Sequence, residues 1–249
     1  MNNSQTIEKM SQMRLLGMKQ AFEISLKDNK MQDFTTDEMI AYLIEAEYSD
    51  REHKKLDRSI KSARFRYQVC LQEIDLNTNR NLDKNQFLRL SDCSFIKRSE
   101  NMLITGPTGV GKSYLASALG HQACVLGYKV LYFNVSKLFT KLKASRADQS
   151  YASEINKIEK YDLLILDDFG IHPMDNQAKL ALLEIIEDRY GKRSTIITSQ
   201  IPISNWFEII EEKTIADAIL DRIVHQSIRI ELKGESLRKI KSENKNQKN

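Results

Sequence analysis

The stretch Gly106-Pro107-Thr108-Gly109-Val110-Gly111-Lys112-Ser113 has the spacing G-x-x-x-x-G-K-[ST], which suits the wrapping of backbone N–H groups around phosphates. Glycine supplies the close approach and positive φ that such a wrap needs, and the following helix adds its N-terminal dipole. In that arrangement Lys112 reaches the β- and γ-phosphates and the Ser113 hydroxyl sits on Mg2+, with Tyr114 next along the helix. Further along, Leu163-Leu164-Ile165-Leu166-Asp167-Asp168 reads as an apolar strand ending in two carboxylates. A buried strand delivers them to the carboxyl edge of a sheet, where ligands bind in open α/β folds. Asp167 is expected to hold Mg2+ through water, and Asp168 to orient or deprotonate an attacking water. The run Ser194-Thr195-Ile196-Ile197-Thr198-Ser199-Gln200 ends in polar groups at the same edge. A hydroxyl or amide there can contact the γ-phosphate or the water, with helix capping by Thr198 or Ser199 as the alternative. Arg222, within Asp217-Ala218-Ile219-Leu220-Asp221-Arg222, is a further candidate, weighed against a paired surface arginine.

The elements around these residues can be placed from periodicity. Residues 1–100 read as mostly helical. Ile7, Met10, Met13, Leu16, Phe22 and Leu26 recur at helical spacing. Thr35-Thr36-Asp37-Glu38 has the form of a capping box before Met39, Ile40 and Leu43, and the helix it opens can run from about 36 to 66. Residues 71–100 lose periodicity and read as a connector. After residue 100 strands and helices alternate. Strands are expected at 101–105, 129–134, 162–167, 194–199 and 226–232, with helices at 112–126, 136–146, 150–159 and 174–190 and two short ones near 206 and 214–224. That alternation implies right-handed crossovers and a parallel sheet, hence an α/β fold with a helical N-terminal part.

Composition sharpens the division. Among 249 residues there are only 9 glycines and 3 prolines. All the prolines, and every glycine but Gly17, follow residue 100, and Gly106, Gly109 and Gly111 fall together. Collagen-like, linker-like and proline-rich disordered classes are excluded, and an all-β sandwich is disfavoured. No apolar run approaches a membrane span, and the N-terminus lacks the pattern of a signal peptide. Cys70, Cys93 and Cys124 are odd in number and form no CxxC pair, so reduced thiols and a cytoplasmic location are expected. The net charge is +4, unevenly placed. Residues 51–66 carry Arg51, Lys54, Lys55, Arg58, Lys61, Arg64 and Arg66 against Glu52 and Asp57, and the tail is rich in lysine.

The phosphate loop, LLILDD, IITSQ, ADAILDRIVH and GESLRK occur here in an order that resembles the IstB family, helper ATPases encoded beside transposases in bacterial insertion sequences and related to the DnaC-type helicase loaders. The resemblance implies an AAA+ P-loop NTPase: a parallel five-stranded sheet flanked by helices, preceded by a small all-helical N-terminal domain. It implies ATP and Mg2+, assembly of a homo-oligomer on double-stranded DNA with ATP sites between subunits, remodelling of target DNA, and recruitment of a cognate transposase. Arg222 would match the arginine finger reaching a neighbour's γ-phosphate, Thr198 or Ser199 the first sensor, and Arg238 the second. Asp168 stands where most AAA+ proteins carry Glu, which suits a slow, switch-like ATPase. The implied organisation is a helical DNA-binding or partner domain at 1–70, a connector at 71–100, the ATPase domain at 101–235 and a basic tail at 236–249, disordered at its end.

With that resemblance, the stripe of Arg51, Lys54, Lys55, Arg58 and Lys61, which share about a third of a helical wheel, reads as a contact to duplex phosphates. Nothing resembles a base-reading motif. The alternative function is a DnaC-type replicative helicase loader. A metabolite kinase is disfavoured because no lid or acceptor pocket is legible, and a GTPase because no N-K-x-D follows a late strand. A scaffold with an inactive site is opposed by the intact set of Lys112, Ser113, Asp167 and Asp168.

Overall fold

The computed structural model describes residues 2–28, 34–76, 80–225, 227–237 and 239, which divide into two compact units, Met1–Arg58 and Ser59–Asn249. In the first, α1 (Asn3–Gln12) and α2 (Leu16–Lys27) are separate helices, because Arg14 takes a left-handed φ of 60° between them. The unbroken helical spacing over this stretch gave no sign of that break. Then α3 (Thr36–Ala63) opens on the expected capping box. The Thr35 N–H donates to Glu38 Oε2 at 2.8 Å, and the Glu38 N–H to Thr35 Oγ1 at 3.3 Å.

Glu47 of α3 serves a second helix. Its Oε2 accepts the N–H groups of Gly17 and Met18 at 2.9 and 3.1 Å, at the start of α2, where orphan donors and the helix dipole favour an anion. Arg51 donates to the other oxygen at 2.7 Å. Gly17 is required at this crossing, since a Cβ would lie 2.5 Å from the Ala46 carbonyl oxygen. Burial opposes the Glu47 charge, but the bonds from Arg51, Met18 and Gly17 outweigh it and hold the carboxyl below its ordinary pKa.

α3 ends at Ala63, three residues before the sequence expectation, because Arg64 adopts φ 60° and closes the helix as a left-handed cap. The stretch expected as a connector holds α4 (Lys84–Leu90) and α5 (Ser94–Lys97). Both are too short to show a period, yet they bury Phe87, Leu90, Phe95 and Ile96.

The rest of the second unit alternates as expected: β1 (Asn101–Thr105), α6 (Lys112–Val125), β2 (Val130–Asn134), α7 (Val135–Ala147), α8 (Tyr151–Glu159), β3 (Leu163–Phe169), α9 (Asn176–Arg189), β4 (Ser194–Ser199), α10 (Trp206–Ile210), α11 (Lys213–Val224) and β5 (Ser227–Glu231). All pairings are parallel and the strand order is β2-β3-β4-β1-β5. Leu103, Leu131, Leu164, Leu166 and Ile197 share a core with α7 to α11. Against the opposite face Gly120 of α6 lets Phe65 and Ile165 approach; a Cβ there would stand 2.5 and 2.7 Å from them. Because β4 lies between β1 and β3, its carboxyl end falls between the phosphate loop and the two aspartates.

Candidate nucleotide site

The phosphate loop joins β1 to α6, with Gly106, Gly109 and Gly111 at φ 144°, 87° and 103°. At Gly106 the requirement is absolute, since a Cβ would stand 2.2 Å from the Leu232 carbonyl oxygen. Lys112 is buried and donates from Nζ to the Gly106 and Pro107 carbonyls at 2.7 and 2.8 Å. Burial lowers its pKa, against the pull of Asp168 and Asp167. Val110 is buried beneath the loop, and Thr108 Oγ1 donates to Gln200 Oε1 at 2.5 Å. Tyr114 donates to Glu73 at 3.5 Å and meets the Tyr67 ring edge-on at 5.8 Å. Thr108, Gly109, Lys112, Ser113 and Tyr114 line a cleft of about 690 Å³ together with Asp168, Arg66 and Tyr67.

The two carboxylates are placed by an irregularity in β3. Leu166 pairs with Ile197 of β4, but the next pairing is Phe169 with Ser199, so one extra residue lies on the β3 side. Asp168 takes φ 63°, a left-handed conformation uncommon outside glycine. In a regular strand Asp167 and Asp168 would point to opposite faces. The bulge brings both to one guanidinium nitrogen: Arg66 Nη1 donates to Asp167 Oδ2 at 3.2 Å and to Asp168 Oδ2 at 2.9 Å.

Asp167 is fully buried and saturated. Its Oδ1 accepts from Ser113 Oγ at 2.7 Å and from Thr198 Oγ1 at 2.5 Å, and its Oδ2 accepts from Tyr132 Oη as well as Arg66. Burial, the Asp167 charge and this bond push the Tyr132 phenol up. Burial also works against the Arg66 charge, but the Asp167 bond and the neighbouring negative groups prevail and raise its pKa. Asn134 donates to Asp168 Oδ2 at 3.0 Å, and the Asp168 N–H donates to Thr198 Oγ1 at 3.2 Å.

Thr198, then, joins both aspartates, and Ser199 does not. Ser199, expected among the catalytic groups, instead donates from Oγ to the Phe169 carbonyl at 2.8 Å and accepts the Ile201 N–H at 3.0 Å. Neighbouring strand residues face opposite ways, so only one hydroxyl could turn to the site. Arg222 is not brought to this chain's phosphate loop. On α11, it pairs with Glu187 of α9 at 3.0 Å and donates to the Ala218 carbonyl at 2.7 Å. Arg238 lies outside the described residues, as does the tail beyond 239.

Arg51, Lys54, Lys55, Arg58 and Lys61 are all exposed. Arg51 pairs with Glu47, Lys54 with Asp50 and Lys55 with Glu52, whereas among the described residues no carboxylate pairs with Arg58 or Lys61. Arg66, Tyr132 and Asn134 are site residues that the motifs did not reveal. Only Arg66 had left a trace, as the last member of the basic run.

A phosphate loop on β1, an acid pair on β3 and a polar strand end between them, on a parallel sheet of this order, define a P-loop ATPase of the AAA+ class. The chain belongs to the family of IstB-like ATP binding proteins, whose model matches residues 8–245. It is 45% identical over 234 residues to the insertion sequence ATP-binding protein y4pL of Sinorhizobium fredii, covering 94% of this chain and 96% of that protein. With the ATP-binding protein of insertion sequence IS1162 from Pseudomonas fluorescens it shares 38% over 205 residues, 82% of this chain and 89% of that one. Among solved structures, DnaI matches with a TM-score of 0.56 at 26% identity over 71% of this chain and 94% of its own. The DnaC helicase loader shares the fold, with a TM-score of 0.51 at 18% identity over 66% and 98%. No described helix is long and apolar enough to cross a membrane.

Proposed function

We propose that this chain is an Mg2+-dependent ATPase of insertion-sequence transposition, which assembles as an oligomer on duplex DNA, remodels the target and recruits its transposase in the cytoplasm. The observation that carries this is the convergence of Lys112, Ser113 and Asp168 on one cleft, with the buried Asp167 bonded to Ser113 beneath it, in a chain whose relatives are insertion sequence ATP-binding proteins. The Ser113 hydroxyl and Asp167 carboxylate, 2.7 Å apart, are the hard oxygen donors that Mg2+ takes alongside substrate phosphates. The ion, when bound, would neutralise charge developing on the β- and γ-oxygens. Gly106 to Ser113 wrap the phosphates with backbone N–H groups, and Lys112 leaves the loop carbonyls to reach them. Asp168 orients the attacking water and takes its proton. Thr198 reads the outcome, since it joins both acids.

Arg222, held on α11 by Glu187 and absent from its own cleft, is suited to completing a neighbour's site. Arg58 and Lys61, which no carboxylate neutralises among the described residues, suit duplex phosphates together with Arg51, Lys54 and Lys55 on the same helix. They make the first domain, 1–70 by the sequence division, the DNA-side module, joined through 71–100 to the ATPase domain. The test is duplex binding by fluorescence anisotropy with a nonhydrolysable ATP analogue. Affinity should require Lys112 and fall by about 10³-fold or more between ~50 and ~200 mM salt if six or more phosphates are met. Binding that is indifferent to ATP, to Lys112→Ala and to salt would refute it.

A further inference from the structure

Arg66 belongs to no motif, yet one nitrogen of its guanidinium bridges both acids of the site. We propose that Arg66 is a built-in counter-cation for the carboxylate pair, one that must surrender both acids before Mg2+ and nucleotide can take their places, and so a positioning residue of the ATPase. The inference rests on reading the cleft as an Mg2+–nucleotide site.

Three observations support it. Both lone-pair directions of Asp168 Oδ2 are taken, by Arg66 and by Asn134, so this oxygen cannot accept a proton from water as it stands. Asp167 Oδ2 is likewise divided between Arg66 and Tyr132. A guanidinium and a divalent cation on one pair of carboxylates would repel each other, so the two compete. Finally, Arg66 is the replaceable member of the network. Its side chain is 41% exposed while that of Asp167 is wholly buried, and it leans on the Tyr67 ring at 5.6 Å in a segment just past the left-handed Arg64. The same segment lines the cleft beside Lys112 and Ser113. Phosphates entering there offer Arg66 a second set of anions to move to.

The test is binding of a fluorescent ADP analogue to the full chain across a Mg2+ titration, comparing wild type with Arg66→Gln and Arg66→Lys. Removing the competing charge should lower the half-saturating Mg2+ concentration about fivefold in Arg66→Gln, the scale of a modest coupling between two ligands. Nucleotide affinity in EDTA should not rise. Arg66→Lys, which keeps the charge without the planar fork, should fall between the two. It carries the comparison alone if Arg66→Gln fails to fold, as judged by Trp206 fluorescence. An unchanged or higher Mg2+ requirement in the variants overturns the proposal while leaving the nucleotide site standing. Lys112→Ala binding the analogue as well as wild type would instead overturn the site reading.

Discussion

Thr198→Val is the sharpest perturbation of the site, because valine keeps the shape of threonine and removes only the hydroxyl. Two bonds go with it: the one donated to the buried Asp167 at 2.5 Å and the one accepted from the Asp168 N–H at 3.2 Å. A hydrogen bond to a charged group contributes about 1.5–3 kcal/mol, and a stranded N–H costs about 1–3 kcal/mol when buried. Asp167 keeps Ser113, Tyr132 and Arg66, and Asp168 is only part-buried, so both terms sit near their lower ends. The sum is about 3 kcal/mol, which for a chain of this size lowers Tm by about 6–12 °C. Ser199→Ala instead loses neutral bonds to the Phe169 carbonyl and the Ile201 N–H and should cost about 1–2 kcal/mol. The two differ further in rate. Thr198 pins the bulge that aims Asp168, and a misplacement of about 1 Å can cost about 10²-fold in turnover. Denaturation is followed by Trp206, the single tryptophan, fully buried against the Phe169 ring at 4.6 Å and so a reporter of the unit holding the site. Turnover is followed by phosphate release. Ser199→Ala losing hydrolysis while Thr198→Val keeps it would refute the assignment and the bulge argument together.

Asp168→Asn should bind ATP with little change and lose hydrolysis, leaving the DNA-bound assembly long-lived in a pull-down; rapid turnover would remove Asp168 from its role. Arg222→Ala should lose hydrolysis at a stability cost of only about 1 kcal/mol, since its pair with Glu187 is partly exposed to water. Mixing it with Lys112→Ala, which supplies an intact Arg222 but no working loop of its own, should restore turnover, and no rescue would point to a role within one chain. Glu47→Gln should destabilise the first unit by about 2 kcal/mol, because two backbone donors and Arg51 lose a charged acceptor. As the Glu47 carboxyl is held below its ordinary 4.5, its contribution is complete above that pH and fades as pH falls through the depressed folded value. Helical circular dichroism of wild type and variant should therefore converge in acid, and a difference persisting to pH 2 would contradict this.

What the amino-acid sequence determined by itself is what short stretches encode. The glycine spacing from Gly106 to Ser113, the apolar run into Asp167 and Asp168, and the Thr35–Glu38 capping box each act through neighbours along the chain. Each is found where the spacing predicts. The periods of strand and helix after residue 100 are likewise local, which is why the parallel sheet was legible. α4 and α5 were not, since helices this short complete too few turns to show a period. The tertiary structure alone decided which hydroxyl, which cation and which phenol reach the acids. Ser199 and Thr198 are indistinguishable as polar residues at a strand end; the register of β4 against a bulged β3 turns one to the carboxylates and the other to the backbone. Tyr132 and Asn134 lie on the neighbouring strand, and Arg66 meets Asp168 across 102 positions of sequence. Contacts of that kind depend on register and on how a chain segment crosses the sheet edge, and a one-residue slip would reverse them, so no local spacing can carry them.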